Sequence, residues 1–219
     1  MAEQEKSKKT KKKKWFTITT DGLFNNAVLG ESLVYAAQDL NGRIISANLM
    51  TLTDDIKQQN VNVGLRISEI NGDTAVATLI SYEMLPSSLK RIVRKEVDRV
   101  DASFVVMTKD NIKLRIKPIL VTRTSTTQSK AKRLRRMATE FIVDFVGKYS
   151  YVEFCRGVIG RGIQSQLRGY LKKVYPLKAC DIRSFTITTQ GTPLTLGGKL
   201  EMPVEERKEE QKQEAPAEA

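Results

Sequence analysis

Five cations, Lys130, Lys132, Arg133, Arg135 and Arg136, fall within seven residues of the stretch TSTTQSKAKRLRRMATEFIVDF, residues 124–145. They stand where an amphipathic helix should begin. The positive end of a helix dipole disfavours cations there, by roughly 0.3–1 kcal/mol per charge. No acid occurs in the segment before Glu140 to compensate. A bound phosphate reverses the sign of this effect, because helix N–H groups and cations then converge on one anion. Lys130 lies four positions before Leu134, and Arg133 four before Met137, so the apolar stripe continues backwards as charge. The hydroxyls of Thr124, Ser125, Thr126, Thr127 and Ser129 and the Gln128 amide add neutral donors for phosphate or ribose oxygens. The chemistry of this cluster is polyanion binding.

Further cations repeat the theme on other elements. The run IKLRIKPILVTRT, residues 112–124, alternates Lys113, Arg115 and Lys117 with Ile112, Leu114 and Ile116. Period two puts the three charges on one exposed sheet face, about 7 Å apart. Residues 85–100, LPSSLKRIVRKEVDRV, read as a helix with Pro86 in its first turn and Leu89, Ile92, Val93, Val97 and Val100 on one side. Its other side carries Arg91, Arg94 and Lys95 together with Lys90 and Arg99, against only Glu96 and Asp98. A third helical region, 152–174, is decorated by Arg161, Arg168, Lys172 and Lys173. An N-terminal arm supplies Lys8, Lys9, Lys11, Lys12, Lys13 and Lys14, and orders on phosphate in this reading. Trp15 and Phe16 follow at once and pin the arm to the body, with Trp15 expected in a core or staple role.

The elements that must position these charges form an α+β pattern. Residues 1–14 read as a basic disordered arm and 15–124 as a mainly β core with one helix. Residues 125–190 read as a helical region whose final strand, 179–190, packs on that core; 191–219 read as a loop and an acidic disordered tail. GRIISANLMTLT, 42–53, is expected as a strand that stops at Asp54 and Asp55. VNVGLRISEI, 61–70, and TAVATLISYE, 74–83, are expected as a hairpin across Asn71-Gly72-Asp73, in a type I′ turn, with Val61, Val63, Leu65 and Ile67 buried. Residues 101–110 and 112–124 form a second hairpin across Lys109-Asp110-Asn111. Leu134, Met137, Ala138, Phe141, Ile142, Phe145 and Val146 give a helix its i, i+3, i+4 stripe. Gly157, Gly160 and Gly162 break the third helical region, and Pro176 ends it.

Composition narrows the function classes. The chain has 219 residues, a net charge of +12 and a pI near 9.7. Residues 1–14 carry +5 and residues 199–219 carry −3, so +10 falls on residues 15–198. The excess belongs to the body, which favours a docked polyanion over a sticky tail. There is no histidine, so His-based triads and His metal sites are excluded. Cys155 and Cys180 lack C-x-x-C spacing and read as two free thiols rather than a zinc site. No cofactor is implied, no apolar run spans a membrane, and the cations lack an apolar insertion face. Asp54, Asp55, Asp110 and Glu83 are the acids from which a Mg²⁺-dependent nuclease site would have to be built, but they read as turn residues. Scarce aromatics and no RNP-like strand favour backbone recognition of structured RNA. GVIG at 157–160 has the G-x-x-G spacing of a KH clamp, and a helix break accounts for it equally well.

KKWFTI, GRIISANLMTLTDD, TKDN, RTSTTQSKAKRLRRM, VYPL, DIRSF and PLTLGGKLEM occur in one order along residues 12–203. Together they resemble the S-three-Ae (eukaryote-type S-one) family of archaeal and eukaryotic small-subunit ribosomal proteins. The resemblance implies an antiparallel β-barrel-like core with flanking helices, on the platform side of the small subunit near the mRNA exit. The partners it implies are small-subunit ribosomal RNA, neighbouring small-subunit ribosomal proteins and mRNA. It implies a cytoplasmic, ribosome-associated protein with no catalysis and no cofactor. Arg123 through Arg136 is the motif it carries over as RNA-contacting. The arm matches less closely, and DIRSFTITTQ departs from a more basic final strand, having only Arg183. The competing reading is a free-standing RNA-binding regulator or chaperone outside the ribosome, which the same charge pattern would suit.

Overall fold

The computed structural model describes residues 12–188, so the expectations for Lys8, Lys9, Lys11 and the C-terminal tail lie outside the described residues. In chain order the elements are β1 (Lys14–Thr20), β2 (Val28–Val34), β3 (Ile44–Asn48), α1 (Leu49–Thr53), β4 (Val61–Asn71), β5 (Thr74–Met84), α2 (Pro86–Ile92), β6 (Arg99–Asp101) and β7 (Phe104–Met107). They continue with β8 (Lys113–Thr122), α3 (Gln128–Lys148), α4 (Tyr151–Ile159), α5 (Gly162–Leu171) and β9 (Leu177–Ile187).

The strands make one sheet in the order β2-β1-β5-β9-β8-β6, with β4 and then β3 on the other edge of β5, and β7 beside β6 on β8. The α+β class holds, but the sheet is not closed, so the barrel is corrected to an open sheet. The reason lies in β5. β4 pairs with it from Thr74 to Met84. Its remaining edge is divided between β1, at Thr74–Ala77, and β9, at Ser81–Glu83. The sheet therefore forks and ends on short or bulged edge strands, a common way to blunt pairing edges. The β1–β5 pairing is parallel, which breaks the otherwise antiparallel pattern.

The alternating β4–β5 hairpin forms as expected, with Val61, Val63, Leu65 and Ile67 buried. Its loop is Gly72-Asp73 between the paired Asn71 and Thr74, and only Gly72 has positive φ, at 62°. A type I′ turn needs positive φ at both central residues, so that assignment is corrected. The second hairpin also forms, β7 pairing antiparallel with β8.

Two local patterns yield to tertiary contacts. The strand expected over 42–53 ends at Asn48, whose side chain accepts the Met50 N–H at 2.9 Å and caps α1. Leu49 and Leu52, three apart on that helical turn, are buried. The helix expected over 85–100 ends at Ile92. Glu96 takes a left-handed φ of 65°, and Arg99–Asp101 joins β8 as β6. Asp98 is held by β8, its N–H donating to Thr122 Oγ1 at 2.9 Å.

Helices cover the inner sheet face. Leu134, Ala138, Ile142 and Val146 of α3 are fully buried. Phe154 of α4 meets Phe185 of β9 edge-on at 5.2 Å, and Tyr82 of β5 stacks on Phe185 at 5.3 Å. Gly157 lets α4 approach α5: a Cβ there would stand 2.9 Å from Ile163 Cδ1. Both cysteines are free and buried, and burial pushes each thiol up to about 12.

Candidate nucleic-acid interface

β8 carries the chain to Thr122, and a loop, residues 123–127, leads into α3. That loop is tied down at several points. The Asp98 carboxylate accepts the Thr126 N–H at 2.6 Å and the Ser125 hydroxyl at 3.4 Å. The Tyr175 hydroxyl lies 2.6 Å from Thr124 Oγ1 and donates to the Ser125 carbonyl at 3.2 Å. The Arg123 N–H donates to the Pro176 carbonyl at 3.2 Å. Of the five hydroxyls expected to face RNA, Thr124 and Ser125 are engaged by Tyr175 and Asp98, Thr127 and Ser129 lie 3.3 Å from each other, and Thr126 Oγ1 is buried, so none stands unengaged at the surface. Gln128 stays exposed at the first position of α3.

Beyond the Asp98 carboxylate that holds Thr126, α3 supplies no protection of its own at its start. Its N-cap, Thr127, makes no side-chain capping bond, and no acid lies in the first turn. Lys130, Lys132, Arg133, Arg135 and Arg136 are all exposed. Arg136 pairs with Glu140 one turn on, at 2.8 Å, a solvated interaction of little energetic consequence. Lys130 stands 5.5 Å from the centroid of the Tyr175 ring. Among the described residues, Lys132, Arg133 and Arg135 enter no ion pair.

Tyr175 joins this cluster to a cleft of about 490 Å³. Arg123, Arg168, Lys172 and Lys178 line it over Pro176 and Leu177. The Leu177 carbonyl accepts from Arg168 Nη2 at 3.2 Å and holds that guanidinium at the wall. Sequence pattern singles out Arg123, Arg168 and Lys172 separately and misses Lys178. The signal for Lys178 is its place one residue after buried Leu177 at the start of β9, where alternation turns it outward.

The remaining sequence-predicted residues divide. Arg115 and Lys117 are exposed and Lys113 half-buried, as period two requires. Ile116 pairs with Phe185, which packs on α4, so Arg115 and Lys117 occupy the sheet face turned away from α4. Arg183, half-buried, falls at the β9 bulge between Ser184 and Ile182. Arg91 donates to Asn60 Oδ1 at 2.7 Å, and Arg94 and Lys95 are exposed on the turn that leads to Asp98. Arg161, with φ of 56°, opens α5 and donates to the Lys57 carbonyl at 3.3 Å, a hydrogen bond that fastens the interhelix break. Burial raises the Asp181 carboxyl, against the opposing pull of Arg161 and Arg168. Lys173 is exposed beyond α5. Lys12, Lys13 and Lys14 are exposed next to Trp15, which is itself 62% exposed. The expected core role therefore belongs to Phe16 alone. GVIG is a helix end, since Gly157 lies inside α4 and Gly160 is its C-cap.

Three of the four acids considered for a metal site are turn or cap residues, and the fourth, Glu83, lies within β5, paired with Asn62 of β4 and Ser184 of β9. Asp54 is the left-handed C-cap of α1, Asp55 accepts the Lys57 N–H at 3.0 Å, and Asp110 accepts the Tyr151 N–H at 2.8 Å. No cluster of three His, Cys, Asp or Glu side chains suited to a metal occurs among the described residues. No helix there is long and apolar enough to cross a membrane.

An open α+β sheet with cations concentrated at a tethered loop and helix start defines a basic protein that presents positive charge from a packed scaffold. The chain belongs to the ribosomal S3Ae family, which matches residues 1–190. It is similar to the small ribosomal subunit protein eS1 of Nanoarchaeum equitans, 30% identical over 84% of this chain and 93% of that one. The eS1 protein of Halorubrum lacusprofundi is 27% identical over 85% and 87%, and that of Methanothermobacter thermautotrophicus 28% over 78% and 88%. The family is one of structural ribosomal components, not of enzymes.

Proposed function

We propose that this protein is a structural component of the small ribosomal subunit and grips ribosomal RNA with the start of α3 and the adjoining Arg123–Lys178 cleft. Its neighbours there are other small-subunit proteins. The observation that carries the reading is the contrast between a loop held rigidly by Asp98 and Tyr175 and the exposed Lys132, Arg133 and Arg135 it presents. Rigid placement lowers the entropy cost of docking, and the cations release counterions when phosphate binds. The finer placement is the platform near the mRNA exit, where the exposed Arg115 and Lys117 add a basic ladder on the sheet face turned away from α4.

The test combines three changes, Arg133→Ala, Arg135→Ala and Arg136→Ala. All three side chains are exposed, so the fold survives. Removing one phosphate-binding cation lowers the log–log salt slope of RNA binding by about 0.7–0.9, so the triple variant should show a slope smaller by about 2. An unchanged slope removes α3 from the interface. Sedimentation of cell extracts tests the setting: the wild-type chain should travel with the small subunit through moderate salt, and a protein found almost entirely free would instead fit an RNA-binding regulator.

A further inference from the structure

The chain's single tryptophan lies on the outward face of the outermost hairpin. Along β1, Phe16 and Ile18 point into the core, and alternation turns Trp15 to solvent. Leu33, its partner across β2, is 41% exposed, and Tyr35, just beyond β2, is 54% exposed. The indole stacks on none of the described rings. Cations crowd the same end of the strand. Lys12, Lys13 and Lys14 are exposed, and Lys13 Nζ lies 5.1 Å from the centroid of the Tyr35 ring.

Flat exposed rings beside lysines match one chemistry best. A base has a π-face for the indole, and its flanking phosphates neutralise the ammonium groups. An acidic peptide would satisfy the lysines and leave the indole in water. An anionic bilayer needs a broader apolar face than three side chains. Exposed Glu31, opposite Thr17 two residues along β1, repels phosphate and bounds the site on that side. We propose that Trp15, Leu33 and Tyr35, with Lys13 on the same face, form a second surface that takes an unpaired RNA segment, one base stacked on the indole and Lys13 on a neighbouring phosphate, while exposed Lys12 and Lys14, which alternation turns to the other face of the strand, add positive charge at its edge. This surface is separate from the α3 interface and does not depend on it.

Because Trp15 is the only tryptophan, its emission reports on this site alone. The experiment titrates the full chain with a single-stranded oligoadenylate of about ten nucleotides, within the 4–16 nucleotide range that stacking grooves occupy. Saturable quenching is expected, in the wild type and equally in the Arg133, Arg135, Arg136 triple-alanine variant. In that triple background, Trp15→Ala should weaken binding of labelled oligoadenylate about tenfold, the size of one base–aromatic stack, and Trp15→Phe less. The melting temperature of each variant is measured alongside, and because the side chain is exposed it should change little. Absence of quenching up to about 100 µM oligonucleotide, a concentration at which even non-specific sites fill, overturns the proposal. Quenching that disappears in the triple variant yet persists in Lys12→Ala/Lys13→Ala/Lys14→Ala also overturns it. A blue shift with anionic vesicles but none of the quenching with oligoadenylate would assign the surface to membrane and overturn it as well.

Discussion

α3 and α4 begin 23 residues apart, at Gln128 and Tyr151, and their starts are opposites. α4 opens with a capping box: Ser150 Oγ accepts the Glu153 N–H at 3.4 Å, and the Glu153 carboxylate accepts the Ser150 N–H at 3.0 Å. Donation to the carboxylate from the Ser150 N–H first and the Ser150 hydroxyl second holds the Glu153 carboxyl below its usual range. α3 opens on Thr127 with no capping bond, no acid, and five cations in the turns that follow. The same chain thus closes one helix start within itself and leaves the other unsatisfied. The burial of Leu134, Ala138, Ile142 and Val146 is what allows this, because packing rather than propensity holds most protein helices.

The largest effect on this contrast follows from cutting the apolar stripe of α3. Leu134→Ala, at a fully buried site, should cost about 2–5 kcal/mol in chemical denaturation. A loss near zero would mean that α3 is held by something else. Next comes the direct exchange of caps. Ser150→Ala should cost about 1 kcal/mol, whereas Thr127→Ala should stay within about 0.5 kcal/mol, as exposed substitutions do. Equal losses would erase the difference between the two starts.

A subtler change gives α3 the acid it lacks. Ser129→Glu in the first turn should stabilise the free protein by about 0.3–1 kcal/mol and weaken RNA binding. Opposite signs in the two measurements are the signature of a start kept open for a polyanion, and a gain in both would break the comparison. The smallest effect is in pH. Glu153 has a depressed folded-state value, so its contribution is present above the unfolded carboxylate value of about 4.3 and is lost as pH falls through the folded one. Glu153→Gln should therefore melt lower than wild type at pH 7, and the gap should close in acid. A gap that persists in acid would mean the carboxylate's charge is not what matters.

Much of the local structure was legible in the residues. The alternation of Val61, Val63, Leu65 and Ile67, the stripe of α3, the outward Arg115 and Lys117 and the two free thiols all follow from side-chain periodicity or cysteine spacing. What was not legible depends on distant partners. Val93, Val97 and Val100 have helical spacing, yet β8 captures Asp98 and Arg99–Asp101 for the sheet. Trp15 has the composition of a core residue, but pairing with Leu33 on the outermost hairpin faces it to water. Lys178 joins Arg123 and Arg168 only because β8, α5 and β9 meet at Pro176 and Leu177.

By itself the sequence determined where the charge lies, which face of each strand and helix is apolar, and that histidine and paired-cysteine chemistry are absent, since these are properties of residue type and short period. Only the tertiary structure decided that the sheet stays open, that Asp98 and Tyr175 lock the loop before α3, and which cations share a cleft. Those outcomes rest on interactions between residues far apart in the chain, whose energies no local pattern encodes.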